Sequence, residues 1–267
     1  MHQPKILIGC PASDYHQYCT KEYLHGLRSL TYNPDIFLVD NSPTISFFTF
    51  LEKEKIPAVR ACFDIPDVKQ KIAASRNVLR KKILDEGYDY FFSLEQDVIP
   101  QKNVIETLLQ HKKPIVSGVY YSYFPVLGRQ QLFPVAYRWL TKEEQEDMQT
   151  NKHLLEKINP VLYEELQQNS FDFSKVRMKL KPEEVEKPQL LKVKQCGLGC
   201  LLIHRDALEK ITFRIDETTD GFDDATFCDD ALALGYDLFL DTRVKCKHLI
   251  RERPWTWEKL LAPEKRH

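Results

Sequence analysis

The stretch Val68–Pro100, VKQKIAASRNVLRKKILDEGYDYFFSLEQDVIP, holds two periodicities back to back. From Val68 to Glu86 the apolar positions Ile72, Leu79 and Ile83 fall at helical spacing and Gly87 closes the run, which predicts a long helix. Tyr88–Leu94 follows as a continuous apolar segment, the pattern of a strand buried on both faces. A helix feeding directly into such a strand is part of a β-α-β unit, and this one ends in Glu95, Gln96 and Asp97.

Upstream, the same alternation repeats. Lys5–Cys10 predicts a first strand stopped by Pro11, and Asp14–Leu30 a helix carrying Tyr18, Tyr23, Leu24, Leu27 and Leu30. Asp35–Asp40 predicts a second strand, with a helix from near Thr44 and a third strand at Pro57–Cys62. Downstream come a helix, Asn103–His111, and a strand, Ile115–Tyr121. This order implies an α/β fold with a mostly parallel sheet covered on both faces. Ligands of such sheets bind beyond the carboxyl ends of the strands, which singles out Pro11–Asp14, Asp40–Ser42 and Glu95–Asp97.

The alternation breaks after Tyr123. Thr141–Pro188 is rich in Glu, Gln and Lys, with apolar residues at helical intervals in HLLEKI and VLYEEL, and predicts a helical insert. Strand-like runs return at Leu190–Cys196 and Cys200–His204, flanking Gly197-Leu198-Gly199. A helix from Asp223 to Leu234, a strand at Asp237–Asp241 and a final run Val244–His248 complete the pattern. One domain is expected, with a half at residues 1–124, the insert at 141–188, a second half at 190–248 and a tail at 249–267.

With 38 basic and 39 acidic residues the formal charge is −1, which argues against a protein that coats nucleic acid by neutralising phosphates. The seven cysteines are scattered and none has C-x-x-C spacing, so they are expected to be reduced core residues of a cytosolic protein. The start, MHQPKILIGCP, lacks the length of a signal-peptide core, and no segment approaches the ~20 apolar residues of a membrane span. The stretch Val244–His267 holds seven Lys or Arg, three Glu, Trp255 and Trp257. It suits either a solvated basic segment or a peripheral contact with anionic lipid on the inner face of a membrane.

Several residues admit both a structural and a chemical role. Glu95 and Asp97 stand where a buried strand opens into a cleft, a place that suits a hard divalent cation, although Asp97 can equally cap the next helix. His248 ends a late strand as a ligand or a satisfied core residue. Asp223 and Asp224 favour the positive end of a helix dipole, and Asp229 and Asp230 read as helix-surface charges. Asp40 fits an Asx turn, and Arg76 a salt-bridged helix residue. Tyr120, Tyr121, Tyr123 and Phe124 can stack on a sugar or belong to the core.

Taken in order, these motifs resemble the nucleotide-sugar glycosyltransferases of the GT-A fold, especially family-2-like members. The resemblance covers about Ile6–Tyr121 and Leu191–His248. It implies a three-layer α/β/α architecture in which Pro11, Ala12 and Asp40 hold the nucleotide base and ribose, and Arg76 and Asn77 face the donor. Glu95-Gln96-Asp97 resembles the D-x-D motif, which implies Glu95, in place of the usual Asp, and Gln96 as donor-binding residues and Asp97 as metal ligand; His248 corresponds to the histidine that completes the metal site. CGLGC at Cys196–Cys200 is similar to the acceptor-side glycine turn. GFDDATFCDDALALGY is similar to the G-x-E-D segment, with Asp224 as general base and Asp223 standing for the Glu.

The implied activity is metal-dependent transfer of a hexosyl unit from a UDP- or GDP-sugar to a hydroxyl of a glycan, lipid or small molecule, with inversion. An oxygen and an imidazole ligand suit Mn2+ better than Mg2+. Retention of configuration is the mechanistic alternative. A sugar-phosphate nucleotidyltransferase would want a Gly-rich phosphate loop near Cys10, which is missing, and a non-catalytic nucleotide-sugar-binding module is the rival from another class.

Overall fold

The computed structural model describes residues 3–251 apart from 127, 155, 157–159, 168–170, 219 and 220. Most of the basic tail, with Trp255 and Trp257, and part of HLLEKI therefore lie outside the described residues.

Strands β1 (Ile6–Gly9), β2 (Pro11–Ala12), β3 (Asp35–Ile36), β4 (Leu38–Asp40) and β5 (Ala58–Arg60) alternate with helices Gln17–Arg28 and Ser46–Lys53. The helix Val68–Asp85 leads to β6 (Tyr90–Leu94), β7 (Val98–Ile99), a helix at Val104–Leu109 and β8 (Ile115–Val119). A hairpin of β9 (Tyr121–Val126) and β10 (Arg129–Pro134) comes next, followed by β11 (Ala136–Arg138). Helices Lys142–Thr150 and Pro160–Gln167 and strand β12 (Met178–Lys179) lie in the inserted segment. The chain then forms β13 (Leu190–Val193), β14 (Gln195–Cys196) and β15 (Cys200–His204). It ends with helices Arg205–Lys210 and Asp223–Ala233 and strands β16 (Leu238–Lys245) and β17 (Lys247–His248).

The central sheet has the order β13-β16-β8-β15-β6-β1-β3. Five of its seven strands run one way; only β13 and β15 are reversed. Successive residues of each strand enter opposite layers of core. Leu7, Phe91, Ile115, Leu201 and Ile203 belong to one cluster. Ile6, Ile8, Phe92, Val116 and Leu202 belong to the other. Continuous apolar strands and a three-layer build are thus one fact seen twice, since each face needs its own cover of helices.

The helix Val68–Asp85 starts where the Asp67 side chain accepts from Gln70 N at 2.7 Å and stops before Gly87, whose φ is +68°. Its buried Leu79 packs directly over Gly9, where a Cβ would come within 2.7 Å of a Leu79 methyl and 2.5 Å of the Phe37 carbonyl oxygen. A side chain at position 9 would push this helix off the sheet.

Three features depart from the sequence pattern. The expected strand Leu190–Cys196 is broken at the buried Lys194, so β13 stays in the central sheet while β14 joins β11 and β12 in a small one. Lys194 is fixed there by ammonium hydrogen bonds to the carbonyls of Ser174 and Val176. The inserted segment is accordingly not purely helical, because β12 returns to pair with β11. Finally, β16 takes in the first late run and the start of the second, with a register shift between Asp241 and Lys245, and the end of the second run leaves the central sheet as β17. Six cysteines are buried as expected, and Cys62 is exposed. No helix among the described residues is long and apolar enough to cross a membrane.

Candidate active site

Register brings the singled-out loops together. Gly9 at the end of β1 lies beside Ser93 of β6, and Leu94 lies beside Cys200 at the start of β15. Residues leaving these strands, Cys10–His16, Glu95–Asp97 and Gly197–Gly199, therefore emerge at one edge. Strand β17 completes the edge by pairing with β7, Val98 opposite His248, while Leu249 N donates to the Asp97 carbonyl at 2.7 Å.

This two-residue ladder sets His248 Nε2 3.1 Å from Asp97 Oδ2. His248 Nδ1 lies 2.6 Å from the Tyr121 carbonyl oxygen, which can only accept, so Nδ1 carries the proton. A neutral ring then points the Nε2 lone pair at a carboxylate oxygen. Two acceptors at that distance repel unless a cation lies between them, either a proton that makes the ring an imidazolium or a metal ion. Donors in adjacent positions about 2.1 Å from one ion stand roughly 3.0 Å apart, so the pair has the spacing and the orienting carbonyl of a ligand set. Burial alone would push the Asp97 carboxyl up, but the His248 hydrogen bond and charge hold it below the usual range. His248 mirrors this, pulled down by burial and raised further by Asp97. Among the described residues, no group of three or more His, Cys, Asp or Glu side chains is placed so that it could hold a metal ion.

Gln96, 2% exposed, braces the turn: its Nε2 donates to Thr20 Oγ1 at 2.7 Å and its Oε1 accepts from Ser13 N at 3.0 Å. His16, which the sequence patterns did not single out, lies on this braced loop with Nδ1 4.0 Å from Asp97 Oδ2. Burial holds its imidazole below the ordinary value. The strand-end rule stopped two residues short of it, at Asp14.

Arg76 is 2% exposed. Its Nη1 donates to both Asp223 oxygens at 2.8 Å and its Nη2 to Glu95. Burial works against its charge, yet Asp223 and Glu95 hold the guanidinium well above its usual pKa. The site's two acidic segments are thereby tied to one cation. Asn77 spends both ends of its amide on the Phe213 backbone, Nδ2 to the carbonyl at 2.7 Å and Oδ1 from the N–H at 3.0 Å. Burial raises Glu95 to about 7 against the pull of Arg76. Asp224, in the first turn of its helix, is raised to about 6 by burial and then by the charge of Asp223. Asp229 and Asp230 pair with Arg177 and Arg214 at the surface.

At the other end of the edge, Ala12 pairs with Asp40 and Pro11 with Val39. Asp40 is fully buried; its Oδ1 accepts from Ser42 N at 2.9 Å and from the Ser42 hydroxyl, while Oδ2 has no partner. Its register partner Arg60 has a buried Nε that is likewise unpaired. An orphaned buried acceptor costs about 1–3 kcal/mol, which a ligand donor would recover.

The glycine turn is closed rather than open. Gly199 N donates to the Tyr120 hydroxyl at 3.0 Å, and a Cβ at Gly197 would overlap that hydroxyl. Tyr120 and Tyr121 are buried, and the Tyr120 ring stands edge-on to His248 at 5.4 Å.

No protein-family model matches the sequence, and no curated protein matches it. Solved structures do. A197 from STIV aligns over 93% of this chain and 87% of its own, at 16% identity and a TM-score of 0.42. GalNAc-T7, crystallised with UDP, GalNAc and Mn2+, aligns over 95% of this chain at 10% identity and a TM-score of 0.58. The chain spans 45% of that structure's length. At these identities the likeness concerns architecture alone, and the architecture is the GT-A fold.

Proposed function

We propose that the chain is a metal-dependent glycosyltransferase that moves a sugar from a nucleoside-diphosphate sugar to a hydroxyl acceptor with inversion. The observation that carries this reading is the Asp97–His248 pair, two lone-pair donors 3.1 Å apart at the sheet edge where this fold takes its ligands. The neighbour GalNAc-T7, with its UDP, GalNAc and Mn2+, supports the same class of ligand.

Asp97 and His248 would hold Mn2+ in preference to Mg2+, because an imidazole suits the softer ion. When bound, such an ion stabilises the charge that develops on the β-phosphate as the sugar leaves. Asp224 takes the acceptor's proton: a carboxyl near pKa 6 is ionised at neutral pH yet more basic than an ordinary aspartate. Arg76 fixes Asp223 and Glu95, so the first helical turn that carries Asp224 does not shift. Asp40 receives the base. With Oδ1 engaged by Ser42, a single free oxygen matches the one imide N–H of uracil better than the two adjacent donors of guanine, which favours a UDP-sugar.

Thermal unfolding of the purified chain with UDP- and GDP-sugars, with and without Mn2+, tests this. Stabilisation is expected with UDP-sugar plus Mn2+ and is lost in Asp97→Ala and His248→Ala. The anomeric proton signal of the first product is expected to be inverted. Full transfer activity in both variants, with folding intact, overturns the metal assignment.

A further inference from the structure

We infer that Arg60 reads the nucleotide base: its Nε–H donates to a ring carbonyl of uracil while Asp40 Oδ2 accepts from the adjacent imide N–H. This rests on reading Asp40 as the seat of the base and adds a second residue, from β5, that sets which base is accepted.

Four buried side-chain polar atoms lack a partner among the described residues. Two of them, Asp40 Oδ2 and Arg60 Nε, belong to register partners on β4 and β5. Residues paired in this way stand about 4.8 Å apart, with their side chains on one face of the sheet. A carboxylate and a guanidinium so placed would ordinarily bond to each other, yet here each is held by a different tie. Ser42 donates twice to Asp40 Oδ1, and Arg60 Nη2 donates to the Pro43 carbonyl at 3.3 Å. The backbone around the pair is fixed: Ala61 N donates to the Asp40 carbonyl at 2.8 Å, and Asn41 N to the Ala12 carbonyl at 2.9 Å. The strand ends thus present one acceptor and one donor side by side, each bearing the desolvation cost of a hydrogen bond not made.

A ligand edge with a donor next to an acceptor satisfies both atoms at once. Uracil has such an edge in N3–H and the carbonyl beside it. Cytosine does not, since its N3 lone pair would face the carboxylate and its amine would face another N–H. Guanine offers N1–H and O6, but its 2-amine meets no second acceptor, because Ser42 already holds Asp40 Oδ1. Arg60 stays charged at any working pH, so its donor is never lost.

The test is calorimetry of UDP, UMP and CDP binding to the full chain with Mn2+ present. The wild type is expected to bind UDP at least about a hundredfold more tightly than CDP, because the wrong base leaves both buried groups unpaired. In Arg60→Met and Arg60→Ala the affinities for UDP and UMP are expected to fall by one common factor, about ten or more, while CDP binds as before. Melting without nucleotide should be unchanged in both variants, since the side chain's one hydrogen bond is the long one to Pro43. Wild-type UDP affinity in both variants removes Arg60 from the base site and leaves the nucleotide reading standing. A loss for UDP but not for UMP would put the guanidinium on the second phosphate and overturns the base role, as does an equal loss for CDP. Absence of UDP binding by the wild type overturns the nucleotide reading itself.

Discussion

Arg76 Nη1 lies 2.8 Å from both carboxylate oxygens of Asp223, across 147 residues of sequence, and its second arm holds Glu95. The contact joins the helix before the Glu95–Asp97 turn to the helix that carries Asp224. Removing the cation leaves the buried carboxylate of Asp223 and the half-buried one of Glu95 without their counter-charge. Arg76→Met is therefore expected to lose about 3–5 kcal/mol, read as a lower urea midpoint at unchanged slope. Arg76→Lys should recover little, because one ammonium cannot span both acids as the planar fork does.

Asp224→Asn separates stability from activity. The folded-state pKa near 6 lies above the ordinary 3.8, so the contribution of this one group to stability is full below about pH 4 and is lost as pH rises through about 6. The amide does not titrate. At pH 7.5 the variant should be more stable by roughly 1–2 kcal/mol, less than the whole shift because the side chain is half-buried and water screens it, with the gain vanishing near pH 4. Transfer should fall about 10²–10⁴-fold, and wild-type kcat/KM should rise with pH to a plateau with an apparent pKa near 6.

How these groups became visible differs from one to the next. The strand Tyr90–Leu94 and the acids after it were legible because an apolar run ending in carboxylates is a local pattern. His248 was legible as a candidate, but what delivers it is the ladder of Val98–Ile99 with Lys247–His248, and a two-residue strand leaves no periodicity to read. The burial of Arg76 was hidden by its setting in the basic run RNVLRKK, since the acid that neutralises it lies in another helix. His16 is one histidine in a polar loop, with nothing in DYHQYC to mark it; only the Thr20–Gln96 bond, formed in the folded chain, brings it to Asp97. The β9–β10 hairpin went unseen because YSYFPV and RQQLFP lack strict alternation.

The closed glycine turn makes a packing prediction. A Cβ at Gly197 would overlap the Tyr120 hydroxyl and approach Val135 to 2.8 Å. Gly197→Ala should cost about 1–3 kcal/mol. Tyr120→Phe alone should cost about 0.5–1.5 kcal/mol by leaving Gly199 N–H unpaired. The double variant is expected to be more stable than the sum of the two, because the hydroxyl is the atom in the way, but not to reach wild type while Val135 remains. A double-mutant cycle by chemical denaturation reads the coupling, and strict additivity would show that the turn yields elsewhere.

Asp40 offers the sharpest test of the base assignment. Its free Oδ2 is a buried acceptor without a partner, and Ser42 already fixes the other oxygen. Asp40→Asn keeps the size and lets the amide oxygen accept from Ser42, but turns the free position into an N–H donor. A uracil imide N–H would then meet another donor instead of an acceptor. Affinity for UDP, measured by calorimetry with Mn2+ present, should fall about 10–100-fold, the equivalent of roughly 1.4–2.8 kcal/mol. The free protein should change little in stability, since one unpaired buried polar atom replaces another. An unchanged UDP affinity would place the base elsewhere, while equal losses for UDP and GDP would remove the argument for uracil.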